Sequence, residues 1–283
     1  MPPITRFAPS PTGRLHLGHA HAAAAVFDFA AVRGGTALLR IEDIDHTRCR
    51  PELTDGIYED LAWLGYVWPK PVRVQSAHYG SYAKVIIDLV ERGFAYPCTL
   101  TRTQLKAGER TLQTKPPSHA EAGRVCDTLR SSVRYKTPSL PFSIRLNLNT
   151  ALRRTTGTLT YLEGGNFQHA LPSLENWAES TRPDPVIARK DIGASYHIAV
   201  THDDHRQGIT DIVRGSDFID QTPLHVLIQN LMGWSTPEYH HHALVMDETG
   251  RKLSKTAKDL TIQSLRESGL TAADVLSRAR SAL

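Results

Sequence analysis

The most informative segment of this chain is Arg6-Phe-Ala-Pro-Ser-Pro-Thr-Gly-Arg-Leu-His-Leu-Gly-His19. It begins within a short apolar run, Ile4 to Ala8, which predicts a buried β-strand. Two prolines and Gly13 then interrupt regular structure. An alanine-rich apolar segment follows from His16 to Val32, and Gly34-Gly35 ends it. The sequence therefore predicts a strand, a tight loop and a helix in immediate succession.

The start of this helix is suited to binding an anion. Its unpaired backbone N–H groups and the helix dipole favour a phosphate group there. His16 and His19 can donate hydrogen bonds to phosphate oxygens from the same turn, and Gly18 leaves room for a flat base. The alternative, a capped surface helix with incidental histidines, leaves the Pro-Ser-Pro-Thr-Gly loop unexplained.

Composition and charge describe a globular protein. The 283 residues are 40% hydrophobic, and no apolar run approaches the ~20 residues that span a bilayer. Met1-Pro-Pro-Ile-Thr lacks the start of a signal peptide, and three scattered cysteines argue against a disulfide framework. We therefore expect a cytoplasmic protein without a membrane partner. The net charge of +4 is compatible with a polyanionic partner but does not establish one.

Four regions of the chain differ in their patterns. Residues 1–96 alternate strand-like and helix-like segments, whereas residues 97–184 are rich in Thr, Pro, Ser and Gly. Residues 185–233 return to strand and helix and should complete a sheet, and residues 234–283 end in a short helical tail. The expected fold class is α/β, with a parallel sheet, an inserted α+β domain and a short C-terminal helical segment.

A second motif, Lys252-Leu-Ser-Lys-Thr256, stands near the other end of the chain. With the first stretch, it resembles the HIGH and KMSKS signatures of class I aminoacyl-tRNA synthetases, in the form of the glutamyl and glutaminyl branch. Four more segments resemble that branch in its order: Arg40-Ile-Glu-Asp-Ile-Asp-His-Thr-Arg48, Trp63-Leu-Gly, Tyr196-His-Ile-Ala-Val and Gly208-Ile-Thr-Asp-Ile-Val-Arg-Gly215. The resemblance covers most of residues 4–256 and implies a Rossmann-like catalytic sheet.

The resemblance implies a ligase that activates L-glutamate with ATP and Mg²⁺. The residues that it implies in catalysis are His16, His19, Lys252 and Lys255. Those that it implies in ATP binding are His16, Gly18, His19, Asp217, Lys252, Ser254 and Lys255. For glutamate, Arg6 and Arg214 would face the carboxylates and Glu42 the ammonium group. The glutamate set as a whole is Arg6, Ala8, Ser10, Glu42, Tyr196 and Arg214.

Three of these assignments have structural alternatives. Arg6 and Glu42 can form an ion pair at the end of the sheet. Tyr196, placed on an apolar strand, can be part of the core. The lysines at 252 and 255 can belong to a solvated basic loop.

The acceptor of the activated glutamate is implied by the short tail. Only residues 256–283 follow Lys255, so we expect no anticodon-binding domain. That form resembles the truncated members of the branch, which attach glutamate to the queuosine base of tRNA(Asp), and Val200 in place of the usual Asn favours the same group. A basic run in the inserted region can follow RNA phosphates or be a solvated surface: Arg102, Lys106, Arg110, Lys115 and Arg124.

Two alternatives to this function stay open. The first keeps glutamate activation but changes the acceptor to a carrier protein or a small amine. The second is a non-catalytic paralogue that binds tRNA or another partner, although the intact His16, His19, Lys252 and Lys255 argue against it. We expect a monomer.

No protein-bound metal is expected. Relatives of the short type often bind zinc through Cys-x-Cys and Tyr-x-x-x-Cys, but Cys98-Thr-Leu100 keeps only the first cysteine. Cys98, His119 and Cys126 supply three ligands at most, whereas structural zinc takes four. The run His240-His-His242 is predicted to lie on a strand or loop, where adjacent side chains face opposite ways and do not converge on one ion.

Overall fold

The computed structural model describes residues 1–106, 117–134, 138–155, 158–180, 183–245 and 261–281. The predicted motif at 252–256 lies outside the described residues, as do Arg110 and Lys115 of the basic run. Across the described ranges, no helix is both long and apolar enough to cross a lipid bilayer.

The first third of the chain alternates strands and helices, as predicted. Its elements are β1 (Ile4–Phe7), α1 (Leu17–Val32), β2 (Thr36–Ile41), α2 (Pro51–Trp63), β3 (Arg73–Val74) and α3 (Tyr79–Glu91). β2 pairs in parallel with β1 on one side and with β3 on the other. Parallel neighbours need a crossover between them, and α1 and α2 supply it.

The middle of the chain is more irregular. Its elements are β4 (Ala95–Cys98), α4 (Arg102–Lys106), α5 (His119–Ser132), β5 (Ser143–Leu146), α6 (Leu148–Arg154), β6 (Thr160–Glu163), β7 (Asn166–His169) and α7 (Leu171–Glu179). β4 and β5 are antiparallel, with Ala95 opposite Leu146. This part therefore has the α+β character that its composition indicated.

The last third returns to alternation. Its elements are β8 (Val186–Ala188), α8 (Tyr196–Arg206), β9 (Asp211–Gly215), α9 (Thr222–Met232), β10 (Glu238–His242), α10 (Ile262–Glu267) and α11 (Ala272–Arg280). β8 joins the antiparallel sheet beside β5. Tyr196 begins α8, so its predicted place on an apolar strand is wrong: Ser195 caps a helix there by accepting a hydrogen bond from Ile198 N.

The parallel layer continues through the second half of the chain. β1 lies beside β9, where Thr210 N donates to Ile4 O at 2.9 Å. β9 pairs in parallel with β10, and β10 pairs in parallel with β6 at Tyr239 and Glu163. The expected α/β class with a parallel sheet is confirmed. The β6–β7 hairpin, predicted within the inserted domain, extends this layer, and the bounds of the four regions stay predictions.

Two hydrophobic clusters form the core. One joins α1, α2, β1 and β2 to the C-terminal helices, and it includes Leu15, Ile57 and Val275. The other joins α3, α5, α8 and α9 to the antiparallel sheet. α11 is also tied to α1 by polar contacts, since Arg280 Nε lies 2.7 Å from Asp28 Oδ2. The helical tail therefore completes the first core.

A buried ion cluster locks α8 against all three strands of the first sheet. Asp204 accepts from Arg6 Nε on β1 at 2.9 Å and from Arg40 Nη1 on β2 at 2.7 Å. Asp203 accepts from Arg73 Nη2 on β3 at 2.8 Å. Both aspartate side chains are almost fully buried. Buried carboxylates persist only when charged partners compensate them, so this cluster constrains how α8 lies on the sheet.

Replacing one of these carboxylates should destabilise the fold strongly. Asp203→Asn is expected to lower the free energy of unfolding by about 3 kcal/mol, because it leaves Arg73 without its buried partner. Urea denaturation measures this change. The matched control is Asp127→Asn, which removes an exposed pair with Arg130 and should change stability by less than about 1 kcal/mol. Equal effects of the two substitutions would contradict the proposed importance of the cluster.

The same carboxylate should make stability fall in acid. Burial alone raises its pKa, but hydrogen bonds and charge from His202, Arg40 and Arg73 lower the pKa of Asp203 from 3.8 to about 2. Because the folded state binds the proton less tightly, its stabilisation is full above about pH 4 and is lost as pH falls towards about 2. We expect this group to contribute a loss of about 2 kcal/mol over that interval. In urea titrations at about pH 4 and about pH 2, the Asp203→Asn variant should not show this loss of about 2 kcal/mol.

Candidate active site

A cavity of about 650 Å³ opens at the carboxyl ends of β1, β2 and β9. Ligands of parallel α/β sheets bind at this edge, because the loops that follow the strands converge there. All six residues predicted for glutamate line it: Arg6, Ala8, Ser10, Glu42, Tyr196 and Arg214. Of the residues predicted for ATP, His19 lines the same cavity. The fold thus brings residues from motifs that are distant in the sequence into one cavity.

The two predicted catalytic histidines cap α1. Gly18 N donates to His16 Nδ1 at 3.1 Å, and His16 N donates to His19 Nδ1 at 3.2 Å. The rings lie 3.9 Å apart between centroids. Since each Nδ1 accepts a hydrogen bond, each neutral ring carries its proton on Nε2. Both rings are thus held as Nε2–H donors at a helix N-terminus, the arrangement that suits a phosphate.

The predicted ATP residue Asp217 lies just after β9, in a short 3-10 turn. It does not line the large cavity directly, but Gly215 beside it does. A Cβ on Gly215 would lie 2.5 Å from Asp217 Oδ1 and 2.9 Å from Leu244 Cδ2. A side chain at position 215 would therefore displace Asp217 from the end of the strand.

The predicted lysines 252 and 255 and Ser254 lie outside the described residues. The described chain resumes at Thr261, and its first residues are bonded to the start of α1. Thr261 forms an isolated bridge with His16, and Ile262 N donates to Leu15 O at 2.8 Å.

Arg6 and Glu42 do not pair with each other in the described structure, so the predicted alternative of an Arg6–Glu42 ion pair is wrong. Arg6 binds Asp204, and Glu42 accepts from Arg40 Nη2 at 3.1 Å. Burial raises the pKa of Glu42, and the charges of Arg40 and Arg6 oppose that rise. Two arginines and two carboxylates thus balance one another at the floor of the cavity.

Arg214 has a different environment, because its hydrogen-bond partners are all neutral. Its guanidinium donates to His241 Nε2 at 3.1 Å, His225 Nδ1 at 3.2 Å, Thr222 Oγ1 at 2.7 Å and Phe218 O at 3.3 Å. Among the described residues, no carboxylate oxygen lies within the 4.0 Å of an ion pair. Arg214 is only 7% exposed. The cavity therefore contains a buried positive charge that the described protein does not balance.

The histidines around Arg214 are held neutral. Burial, with the charge of Arg214, lowers the pKa of His225 well below its usual range and that of His197 to about 4. Burial and Arg214 likewise lower the pKa of His241, although Glu163 opposes this. At neutral pH these rings add no charge, so the excess charge of this wall belongs to Arg214.

Tyr196 lines the cavity beside the rings that surround Arg214. It lies 5.7 Å from Phe218 and 5.6 Å from His225, measured between ring centroids. Burial raises the pKa of its phenol to about 12. The hydroxyl therefore stays protonated at neutral pH and can donate a hydrogen bond to a ligand.

A second cavity, of about 370 Å³, adjoins the first. The two share five lining residues: Ser10, Thr12, Glu42, Arg48 and Tyr196. Beyond this shared wall lies Asp45, which accepts from Arg189 Nη1 at 3.0 Å. Burial raises the pKa of Asp45, but hydrogen bonds from Thr47 and Arg189 lower it overall, so it is a carboxylate at neutral pH.

The described residues contain one group of three neighbouring metal-ligand side chains, Asp211, Glu238 and His240. None of the three lines either cavity. The histidine run lies on β10, where His240 faces Asp211 and His241 faces Arg214 on the opposite side, as strand geometry predicted. The expectation that no zinc is bound stays a prediction.

Several residues of the site were not found from the sequence. They are Arg40, Glu163, His197, Asp204, His225 and His241. One signal was available for Asp204, since the run His202-Asp-Asp-His205 places two acidic residues shortly after the apolar segment Ile198 to Val200. Arg40, His197 and His241 lie in segments that the sequence analysis had singled out for other reasons, whereas no local pattern marks Glu163 or His225. The contacts that join these residues form only through the fold.

Comparison with known proteins supports the resemblance. The family described as tRNA synthetases class I (E and Q), catalytic domain, matches residues 4–279. A protein of Rhodobacter capsulatus named glutamyl-Q tRNA(Asp) synthetase is 36% identical, over 96% of this chain and 98% of that protein. A protein of Hyphomonas neptunium named glutamate–tRNA ligase 1 is 35% identical, but only 56% of its length is covered.

A solved structure agrees with these matches. A glutamate tRNA ligase from Elizabethkingia meningosepticum, in complex with its amino acid, superposes with a TM-score of 0.65 at 25% identity. The alignment covers 95% of this chain and 54% of that one, so the chain spans about half the length of the glutamate–tRNA ligases that it matches. The chain belongs to the class I tRNA synthetases of the glutamate (E) and glutamine (Q) group, a family of ligases.

Proposed function

We propose that this protein uses ATP to activate L-glutamate as glutamyl-adenylate and transfers the glutamyl group to the queuosine base of tRNA(Asp). The observation that carries the choice of an acidic substrate is Arg214, the buried guanidinium that no described carboxylate balances. The name of the Rhodobacter capsulatus relative, which matches along nearly its whole length, supports the acceptor.

Glutamate fits the charge of the cavity. Arg214 attracts the side-chain carboxylate, because a buried guanidinium without a counter-ion is stabilised by an anion. Arg6 also lines the cavity, but Asp204 already matches its charge, so the net attraction comes from Arg214. Glutamine would leave that charge unpaired, and breaking a buried pair costs about 3–5 kcal/mol. Charge on the cavity wall thus discriminates the acid from the amide.

The remaining polar groups orient the substrate. Glu42 Oε1 accepts a hydrogen bond from Arg40. Glu42 also lines the cavity, where its carboxylate can accept a hydrogen bond from the α-ammonium group of glutamate. Ser10 and Tyr196 line the wall beside it and supply hydroxyl groups. With the ammonium and the side chain both held, the α-carboxylate is directed towards the start of α1.

The first step then needs positioning more than proton transfer. An oxygen of the α-carboxylate, ionised at neutral pH, forms a bond to the α-phosphorus of ATP while the bond to pyrophosphate breaks. The N-terminus of α1 and the Nε2–H groups of His16 and His19 stabilise the phosphate charge, with Lys252 and Lys255 expected to assist. Mg²⁺ carried by the nucleotide phosphates would neutralise part of that charge. The described group of possible metal ligands, Asp211, Glu238 and His240, lines neither cavity.

The second cavity offers a place for the acceptor. It meets the glutamate cavity at Ser10, Glu42 and Tyr196, so a group bound there would reach the activated carbonyl. In the second step a hydroxyl of the cyclopentene diol of queuosine attacks this carbonyl, and AMP leaves. Asp45 can accept a hydrogen bond from such a diol.

Transfer of labelled glutamate tests this function. With ATP, the protein should label bulk tRNA from cells that make queuosine and leave tRNA from cells that cannot make it unlabelled. Equal label on both pools would contradict the queuosine acceptor and favour the terminal ribose, the acceptor of ordinary glutamate–tRNA ligases. No ATP–pyrophosphate exchange with glutamate or any other amino acid would contradict the activation step and favour a non-catalytic paralogue.

The two arginines of the cavity should respond differently to substitution. Arg214→Met should lower kcat/KM for glutamate in ATP–pyrophosphate exchange by about 100-fold, because it removes a charged hydrogen-bond donor. Arg6→Met should lower the free energy of unfolding by about 3 kcal/mol, because it leaves Asp204 undercompensated in the core. Exchange kinetics and urea denaturation of both variants measure this contrast. A larger loss of stability for Arg214→Met would mean that its charge is balanced within the protein.

A further inference from the structure

A chain of three side chains runs behind the cavity, from the β6–β7 hairpin to Arg214. Glu163, the last residue of β6, accepts from His241 Nδ1 at 2.7 Å. His241, on β10, accepts through Nε2 from Arg214 Nε at 3.1 Å. Arg214 lies on β9 and lines the cavity. Three neighbouring strands thus contribute one residue each to a continuous path.

The chemistry of these partners decides the tautomer of His241. An ionised carboxylate only accepts hydrogen bonds, so the proton of the neutral ring must lie on Nδ1. Nε2 then presents a lone pair, which is what the Arg214 Nε–H needs. The carboxylate is itself fixed, because its other oxygen accepts from the backbone N–H of His241 at 2.9 Å. Glu163 therefore selects the ring form that can hold Arg214.

On the opposite side of Arg214, His225 also presents a ring nitrogen that accepts a hydrogen bond. His225 Nδ1 accepts from Nη1 of Arg214, so His225 carries its proton on Nε2 and can donate it to His197 Nδ1 at 3.1 Å. Nη2 of Arg214 donates to Thr222 Oγ1 and to Phe218 O. Described residues thus accept from four of the five N–H groups of the guanidinium, and the remaining one, on Nη1, has no acceptor among them and can donate to a ligand. The direction of that last donor depends on the acceptors that hold the other four.

We propose that Glu163 and His241 are positioning residues, and that Glu163 fixes the Nδ1–H tautomer of His241 so that His241 holds Arg214 in the orientation that binds the carboxylate of the substrate. This inference rests on the proposed activation of glutamate. It gives the β6–β7 hairpin a part in recognising the amino acid, although none of its residues lines the cavity.

The chain offers a matched control on the same strand. Glu238 begins β10, and one of its oxygens accepts from Gly165 N at 2.7 Å in the same hairpin. The histidine nearest to it, His240, lies on the other face of the strand and is 3.0 Å from Asp211. Glu238 therefore shares the hairpin contact of Glu163 but has no path to Arg214.

The first experiment compares Glu163→Gln with Glu238→Gln in ATP–pyrophosphate exchange. A glutamine amide N–H₂ facing Nδ1 would drive the proton of His241 to Nε2, where it would face a donor of Arg214. We expect KM for glutamate to rise about 10-fold in Glu163→Gln, with KM for ATP unchanged. Glu238→Gln should leave both constants as they are. A parallel rise in both constants, or equal behaviour of the two variants, would overturn the proposal.

A double-mutant cycle distinguishes an effect of Glu163 that passes through His241 from a general disturbance of the structure. His241→Gln keeps an amide oxygen that can accept from Arg214 and no longer depends on a tautomer. Adding Glu163→Gln to this variant should raise KM for glutamate by less than about 2-fold, because the effect of Glu163 passes through the imidazole. A full additional 10-fold rise would overturn the proposal.

The tautomer of His241 can also be determined without an activity measurement. Nitrogen-detected spectra of histidine-labelled protein, assigned by the signal missing in His241→Gln, should show His241 protonated at Nδ1 and unprotonated at Nε2. Glu163→Gln should reverse this, and Glu238→Gln should not. A proton on Nε2 in the unchanged protein would overturn the proposal. Absence of exchange with glutamate in the unchanged protein would instead count against the proposed function, while the spectra still decide the tautomer.

Discussion

The buried acidic pair Asp203 and Asp204 fixes the position of α8 on the first sheet. The carboxylates bind one arginine from each strand of the first sheet, so α8 has a single place where all three charges are satisfied. The start of α8 lies at the mouth of the cavity and carries Tyr196. Because buried charges tolerate little displacement of their partners, the position of Tyr196 follows from an electrostatic requirement in the core.

The same requirement explains why two arginines of one cavity differ. Arg6 and Arg40 lie within reach of α8, and Asp204 and Glu42 together balance their two charges. Arg214 lies on β9 and meets neutral rings, a hydroxyl and a backbone carbonyl. At the wall that contains Arg6, carboxylates of the protein neutralise the arginines. At the wall that contains Arg214, the described partners are neutral and the wall stays positive. An anionic substrate completes the balance, which links the energetics of the core to the choice of ligand.

The β6–β7 hairpin shows how a peripheral segment can affect this site. It pairs with β10 at one residue pair, and at that pair Glu163 binds both the backbone and the ring of His241. A contact of this kind transmits orientation, because a carboxylate restricts which ring nitrogen carries the proton. The hairpin is therefore part of the amino-acid site through hydrogen bonds, without touching the cavity.

Local patterns and the family motifs are sufficient to predict the first strand, loop and helix and part of the cavity lining. Strand β1, the proline-rich loop and helix α1 follow from apolar runs and turn residues, and the family motifs name six residues that line one cavity. Which charges are paired depends on contacts between distant parts of the chain. Arg6 and Asp204 are 198 residues apart, and Glu163 and His241 are 78 apart, so no local pattern indicates these contacts. Tyr196 was misplaced on a strand because its apolar neighbours suit either element, and the cap at Ser195 and the buried acidic pair select the helix.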